Sequence, residues 1–186
     1  LPVTTNYAEG LQCVASSLPE NRYQLKDSRI KQAIALNPTT SIMFGKTGLK
    51  KMQVPVLMLA SSNDQVTPAL TEQIIGFNTI SSPKLLVGIV GATHGSIKDP
   101  ISTANREEKQ DSLEVTGEKA ADIRKYVKAV TLAFVSQNTS TAHEYKVFLT
   151  PEYAKYVSTK SFPIRLVTEI PADTMASINQ ILDNKQ

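Results

Sequence analysis

Two stretches, "VPVLMLASSND" (Val54 to Asp64) and "KLLVGIVGATH" (Lys84 to His94), restrict the fold more than anything else in the chain. Each is an almost unbroken apolar run without polar alternation, which predicts a strand buried on both faces, as in a parallel sheet covered by helices. A shorter run, "IKQAIALNP", reads the same way: Ile30, Ala33, Ile34, Ala35 and Leu36 are apolar, and Asn37 and Pro38 end it. Between the two long runs, "TPALTEQIIGFNTI" predicts a crossover helix. Thr67 stands as its N-cap, Pro68 at the first helical position, and Leu70, Ile74 and Phe77 recur at helical spacing. The alternation of strand and helix predicts an α/β domain with a mostly parallel sheet.

After the second long run the chain turns polar ("SIKDPISTANREEKQDSLEVTGEK") and then becomes amphipathic. In "AADIRKYVKAVTLAFVSQN", Ile123, Tyr126, Val127, Val130, Phe134 and Val135 recur at helical intervals, which predicts a helix on the sheet. The tail predicts a short helix from Pro151 to Tyr156, an extended piece from Ile164 to Val167 and a last helix from Asp173. Residues 1–138 are therefore expected to form the main body, and residues 139–186 a helical C-terminal extension packed on it.

Composition excludes several classes of function. With 186 residues, 41% apolar and 20% charged, the chain has the make-up of one ordinary globular domain. The net charge of +3 comes from scattered basic residues, such as Lys50 with Lys51 and Arg124 with Lys125, so no nucleic-acid partner is expected. No apolar run approaches the ~20 residues that a membrane span needs. Cys13 is the only cysteine, which excludes an internal disulfide, and it reads as a small buried hydrophobe. "FGKTG" (Phe44 to Gly48) has the look of a phosphate loop, but Thr40 stands where the motif needs glycine, so a surface turn is expected. His143 lies in a polar linker without a companion at metal-ligand spacing, and no metal site is expected there.

Chemistry points to two positions. Asp64 ends one buried run and His94 ends the next. In an open parallel sheet such ends share the carboxyl edge, where α/β folds place ligands and catalytic groups. Neighbouring strands lie about 5 Å apart, so a carboxylate on one loop can reach an imidazole on the next, fix its tautomer and leave the other nitrogen to take a proton. The small residues Gly91, Ala92, Thr93, Gly95 and Ser96 suit a tight loop around the histidine. Each position also has a structural reading: an aspartate after a strand often caps a helix, and a lone histidine there is often structural.

From Ala33 to Phe134 the order is strand, strand with an acid ("LASSNDQVTP"), helix, strand with a histidine ("VGATHGS") and closing helix. This order resembles the C-terminal half of the α/β-hydrolase fold, nearest to its bacterial lipase-like and dienelactone-hydrolase-like members. The resemblance implies a partial α/β-hydrolase fold in which Asp64 is the triad acid and His94 the general base. It places Asn37, Pro38 and Phe44 near the substrate pocket, and it implies an ester substrate and no metal or cofactor.

The family's nucleophilic serine precedes the acid in a G-x-S-x-G elbow between strand and helix. Ser16, Ser17 and Ser41 lack that context, Ser61 and Ser62 lie too close to Asp64, and Ser96 belongs to the histidine's own loop. The family's oxyanion hole also comes from residues around the nucleophile and earlier. The chain opens "LPVTTNYAEG" without methionine, so it is expected to be the C-terminal portion of a serine ester hydrolase (lipase, esterase or lactonase). Such a portion is inactive without its N-terminal half, and its partner is that half or a second copy of itself. The alternative is a noncatalytic binding or scaffold protein that keeps the hydrolase-like sheet.

Overall fold

The computed structural model describes residues 26–98 and 113–184. Cys13, Ser16 and Ser17, and most of the polar excursion after the histidine, lie outside the described residues. The described residues up to Ile30 group apart from the remainder. They form a turn in which Asp27 accepts hydrogen bonds from the backbone N–H and guanidinium of Arg29.

The remainder is built on a four-stranded sheet whose spatial order follows the chain: β1 (Ala33–Leu36), β2 (Val56–Ser61), β3 (Lys84–Ile89) and β4 (Ile164–Val167). The first three are parallel, with Ala33 opposite Val56 and Val56 opposite Lys84. β4 runs antiparallel to β3, pairing Leu86 with Val167 and Ile89 with Ile164. The helices are α1 (Ser41–Gly48), α2 (Ile75–Thr79), α3 (Ala121–Ser136), α4 (Ala142–Tyr145), α5 (Pro151–Val157) and α6 (Ala172–Asp183). The expected α/β class with a mostly parallel sheet is therefore present. Among the described residues no helix is long and apolar enough to cross a membrane.

The unbroken hydrophobicity of the second run now has a physical cause. Side chains alternate across a strand, and every residue of β2 is buried. Leu57 and Leu59, with Val87 and Ile89 of β3, face Ile123, Tyr126, Val127, Val130 and Phe134 of α3. Val56, Met58 and Ala60 point the other way, onto Leu49, Phe77 and Ile80. A strand with helices on both sides has no face left for polar residues. β1, in contrast, is only partly buried along its length, and Leu36 is exposed.

Several local expectations need correcting. The crossover helix begins at Ala69, because Pro68 is still extended (ψ 128°) and the Thr67 side chain does not cap it. Its first turn, Ala69 to Ile74, is wound wide, and the Ile75 N–H bonds to the carbonyl of Leu70, five residues back. "FGKTG" is the second half of α1 rather than a turn, kinked at Gly45, whose φ of 60° suits glycine. Val135 is 44% exposed, because it lies about 100° around the helix from the buried Phe134. Tyr153 stacks on Tyr126 at 6.1 Å, but Tyr156 points to solvent. The extended piece of the tail joins the sheet as β4, and Ala154, Ile164 and Leu166 enter the core with it.

Candidate active site

The carboxyl ends of β1, β2 and β3 bring together residues far apart in the chain. After β2, Asp64 folds back so that its Oδ1 accepts hydrogen bonds from the backbone N–H groups of Val66 (2.9 Å) and Thr67 (2.8 Å). This local turn aims the second oxygen across the sheet. Oδ2 accepts from the Thr67 hydroxyl at 2.9 Å and lies 2.9 Å from His94 Nδ1. The Asp64 side chain is fully buried and the His94 side chain 28% exposed. A carboxylate can only accept, so this contact puts the imidazole proton on Nδ1 and leaves the lone pair on Nε2. A buried orienting acid and a partly exposed base are thus in place, an arrangement able to take a proton from a hydroxyl.

The histidine loop is held independently of the aspartate. Gly91, at φ +82°, turns the chain out of β3, and a Cβ there would sit 2.8 Å from the Ser161 carbonyl oxygen. Thr93 and Ser96 then cap the short turn His94 to Ile97 reciprocally, and the Thr93 N–H donates to Ser96 Oγ at 2.9 Å. Glu114 Oε2 accepts from the Thr93 hydroxyl (2.7 Å) and the Gly95 N–H (3.0 Å). A Cβ on Gly95 would lie 2.7 Å from that oxygen, so the carboxylate's approach needs a glycine.

Asn37 connects the three strand ends. Its N–H donates to the Leu59 carbonyl, its own carbonyl lies 3.0 Å from the Thr67 hydroxyl as the alternative acceptor of that proton, and its amide Nδ2 donates to the His94 carbonyl at 3.3 Å. Its φ of 47° falls in the left-handed region, which asparagine tolerates better than most side chains. Pro38 follows it half-buried, and Phe44 stands on α1, 49% exposed. The start of α1 is fixed by Glu72, whose Oε2 accepts from the N–H groups of Thr40 and Ile42. The Thr40 hydroxyl donates to the Glu72 carbonyl.

The structure thus joins Asp64, His94 and Asn37 by hydrogen bonds. Thr67, Gln73 and Glu114 belong to the site without having been expected there. Gln73 carried a faint signal: it falls three residues after Leu70 in the apolar pattern, a polar residue on a buried face. Glu114 carried none, sitting in a polar stretch. None of the serines near Asp64 and His94 bonds to the imidazole. Ser61 is fully buried, its Oγ without a partner among the described residues, Ser62 Oγ accepts from the Gly91 N–H, and Ser96 Oγ donates to the Val115 carbonyl. Among the described residues no hydroxyl bonds to His94 Nε2, and no group of three or more His, Cys, Asp or Glu is placed to hold a metal ion. Neither a protein-family model nor a curated protein matches the chain.

Proposed function

We propose that this chain supplies the acid and base of a serine ester hydrolase of the α/β-hydrolase type. The supporting observation is the 2.9 Å contact between the buried Asp64 Oδ2 and His94 Nδ1 at the carboxyl edge of parallel strands. In this reading a serine hydroxyl attacks the ester carbonyl as its proton passes to His94 Nε2. Asp64 stabilises the imidazolium, which returns the proton to the departing alkoxide, and water releases the acyl group by the same route. Leu36, Ile42, Phe44, Val66 and Val90 are exposed apolar residues on segments leaving this edge, which favours an apolar acyl group.

The serine comes from a segment that adds to the sheet beside β1. Among the described residues β1 is paired on one side only, to β2, and it is the least buried of the three parallel strands. Parallel strands are normally covered and flanked, so an exposed edge of this kind favours a neighbouring strand, from an N-terminal half of the same hydrolase; a second copy would bring only the serines already found unsuited.

The test uses a fluorophosphonate probe on the chain alone and on the chain extended by its upstream-encoded residues. Labelling of the extended protein that disappears in His94→Gln and Asp64→Asn is expected. Labelling that survives both substitutions would refute the dyad's role, and labelling of the chain alone would refute the need for a complementing segment.

A further inference from the structure

Resting on the reading above, we propose that Gln73 and Thr67 are positioning residues that hold Asp64 on the imidazole of His94. Gln73 is fully buried, in the wide-wound turn before α2. Such turns insert a residue into the helical register and redirect the side chains around it. Its amide Nε2 donates to the Thr67 carbonyl at 2.7 Å and to the Thr67 hydroxyl at 3.0 Å, and it lies 3.4 Å from Asp64 Oδ2.

The direction of these bonds follows from counting protons. Gln73 Nε2 has two, one for the Thr67 carbonyl and one for the Thr67 hydroxyl oxygen. Having accepted that proton, the hydroxyl turns its own toward Asp64 Oδ2 at 2.9 Å or the Asn37 carbonyl at 3.0 Å. The Thr67 oxygen also lies 3.3 Å from His94 Nδ1. With the Gln73 N–H on that oxygen, the hydroxyl's own proton is directed at Asp64 Oδ2 and holds the carboxylate oxygen opposite the imidazole. Without Gln73 the hydroxyl is free to rotate, and without the hydroxyl Oδ2 loses the donor that fixes it, so in either case the bond to Nδ1 loosens. The cost of the arrangement is visible in Gln73 Oε1, which is buried without a partner among the described residues.

The test is nitrogen-resolved NMR of the His94 imidazole in the chain as it stands. There are two histidines, and a His94→Gln control separates His94 from the exposed His143. The expected result is a protected Nδ1–H resonance in the parent chain. In Gln73→Met, with the melting temperature close to the parent's, its exchange with solvent should be about tenfold faster, the factor one net hydrogen bond carries. Unchanged exchange in a folded Gln73→Met would overturn the inference. If that variant does not fold, the Thr67 pair decides. Thr67→Ser keeping the protected resonance while Thr67→Val loses it supports the proposal, and Thr67→Val keeping it overturns it. Loss in Asp64→Asn alone would leave the dyad standing and remove only this inference. Persistence in Asp64→Asn would overturn the dyad reading as well.

Discussion

Replacing Asp64 by asparagine or by alanine separates the two duties of this side chain, and the hydrogen bonds fix the expected difference. The carboxylate accepts from the Val66 N–H, the Thr67 N–H, the Thr67 hydroxyl and His94 Nδ1. In Asp64→Asn the amide oxygen can still accept from the two backbone groups. The amide nitrogen then donates to the Thr67 oxygen, whose own proton goes to the Asn37 carbonyl already 3.0 Å away. Every buried group remains paired, so the stability change should stay within about 1 kcal/mol. In Asp64→Ala the Thr67 N–H is left buried without an acceptor, while the Val66 N–H can reach water because Val66 is 52% exposed. One orphaned buried donor plus the lost charged bonds should cost about 2–3 kcal/mol, a fall of roughly 4–12 °C in melting temperature for a chain of this size. Yet the milder substitution should do the greater chemical damage for its size. The asparagine amide donates to Nδ1 and drives the imidazole proton to Nε2; under the proposed function this removes the base, a change that in Ser-His-Asp triads lowers turnover by about ten-thousandfold. Thermal denaturation followed by circular dichroism reads the first effect, and imidazole nitrogen shifts read the second. Equal destabilisation by both substitutions, or an Nδ1-protonated ring in Asp64→Asn, would refute the reasoning.

Other sites give independent checks. Tyr126 is buried with its hydroxyl unpartnered among the described residues, so Tyr126→Phe should raise stability by about 1 kcal/mol, measured by urea denaturation; a loss of that size would show that the hydroxyl has a partner. Burial, reinforced by Tyr153, pushes the Tyr126 phenol above its ordinary value of 10.0. The unfolded chain therefore releases this proton first, and the contribution, intact below pH 10.0, is lost as the pH rises beyond it. The fall in stability through that range should be shallower in Tyr126→Phe. A Cβ on Gly76 would overlap the Thr40 hydroxyl, so Gly76→Ala should destabilise by about 2 kcal/mol as α1 is pushed from α2. A neutral result would mean that the contact between these helices yields freely.

The sequence by itself determined the strands and their class. Hydrophobicity is set by burial, and β2 and β3 each lie between two helical layers, so their runs could be read without coordinates. It also located Asp64 and His94, because the end of a buried run marks the strand's carboxyl edge. Periodicity misplaced Val135 by one helical step, and the crossover helix starts one residue late because Pro68 is still extended. Only the tertiary structure decided that the tail's Ile164–Val167 adds antiparallel to β3, since strand pairing depends on which edge is free. It alone drew Gln73 and Glu114 into the site. Their partners stand 9 and 21 residues away in the chain, and a polar side chain shows in its own neighbourhood no sign of the distant group that satisfies it. Burial leaves a periodic trace in sequence, whereas a hydrogen bond between distant loops is specified only when the sheet brings those loops together.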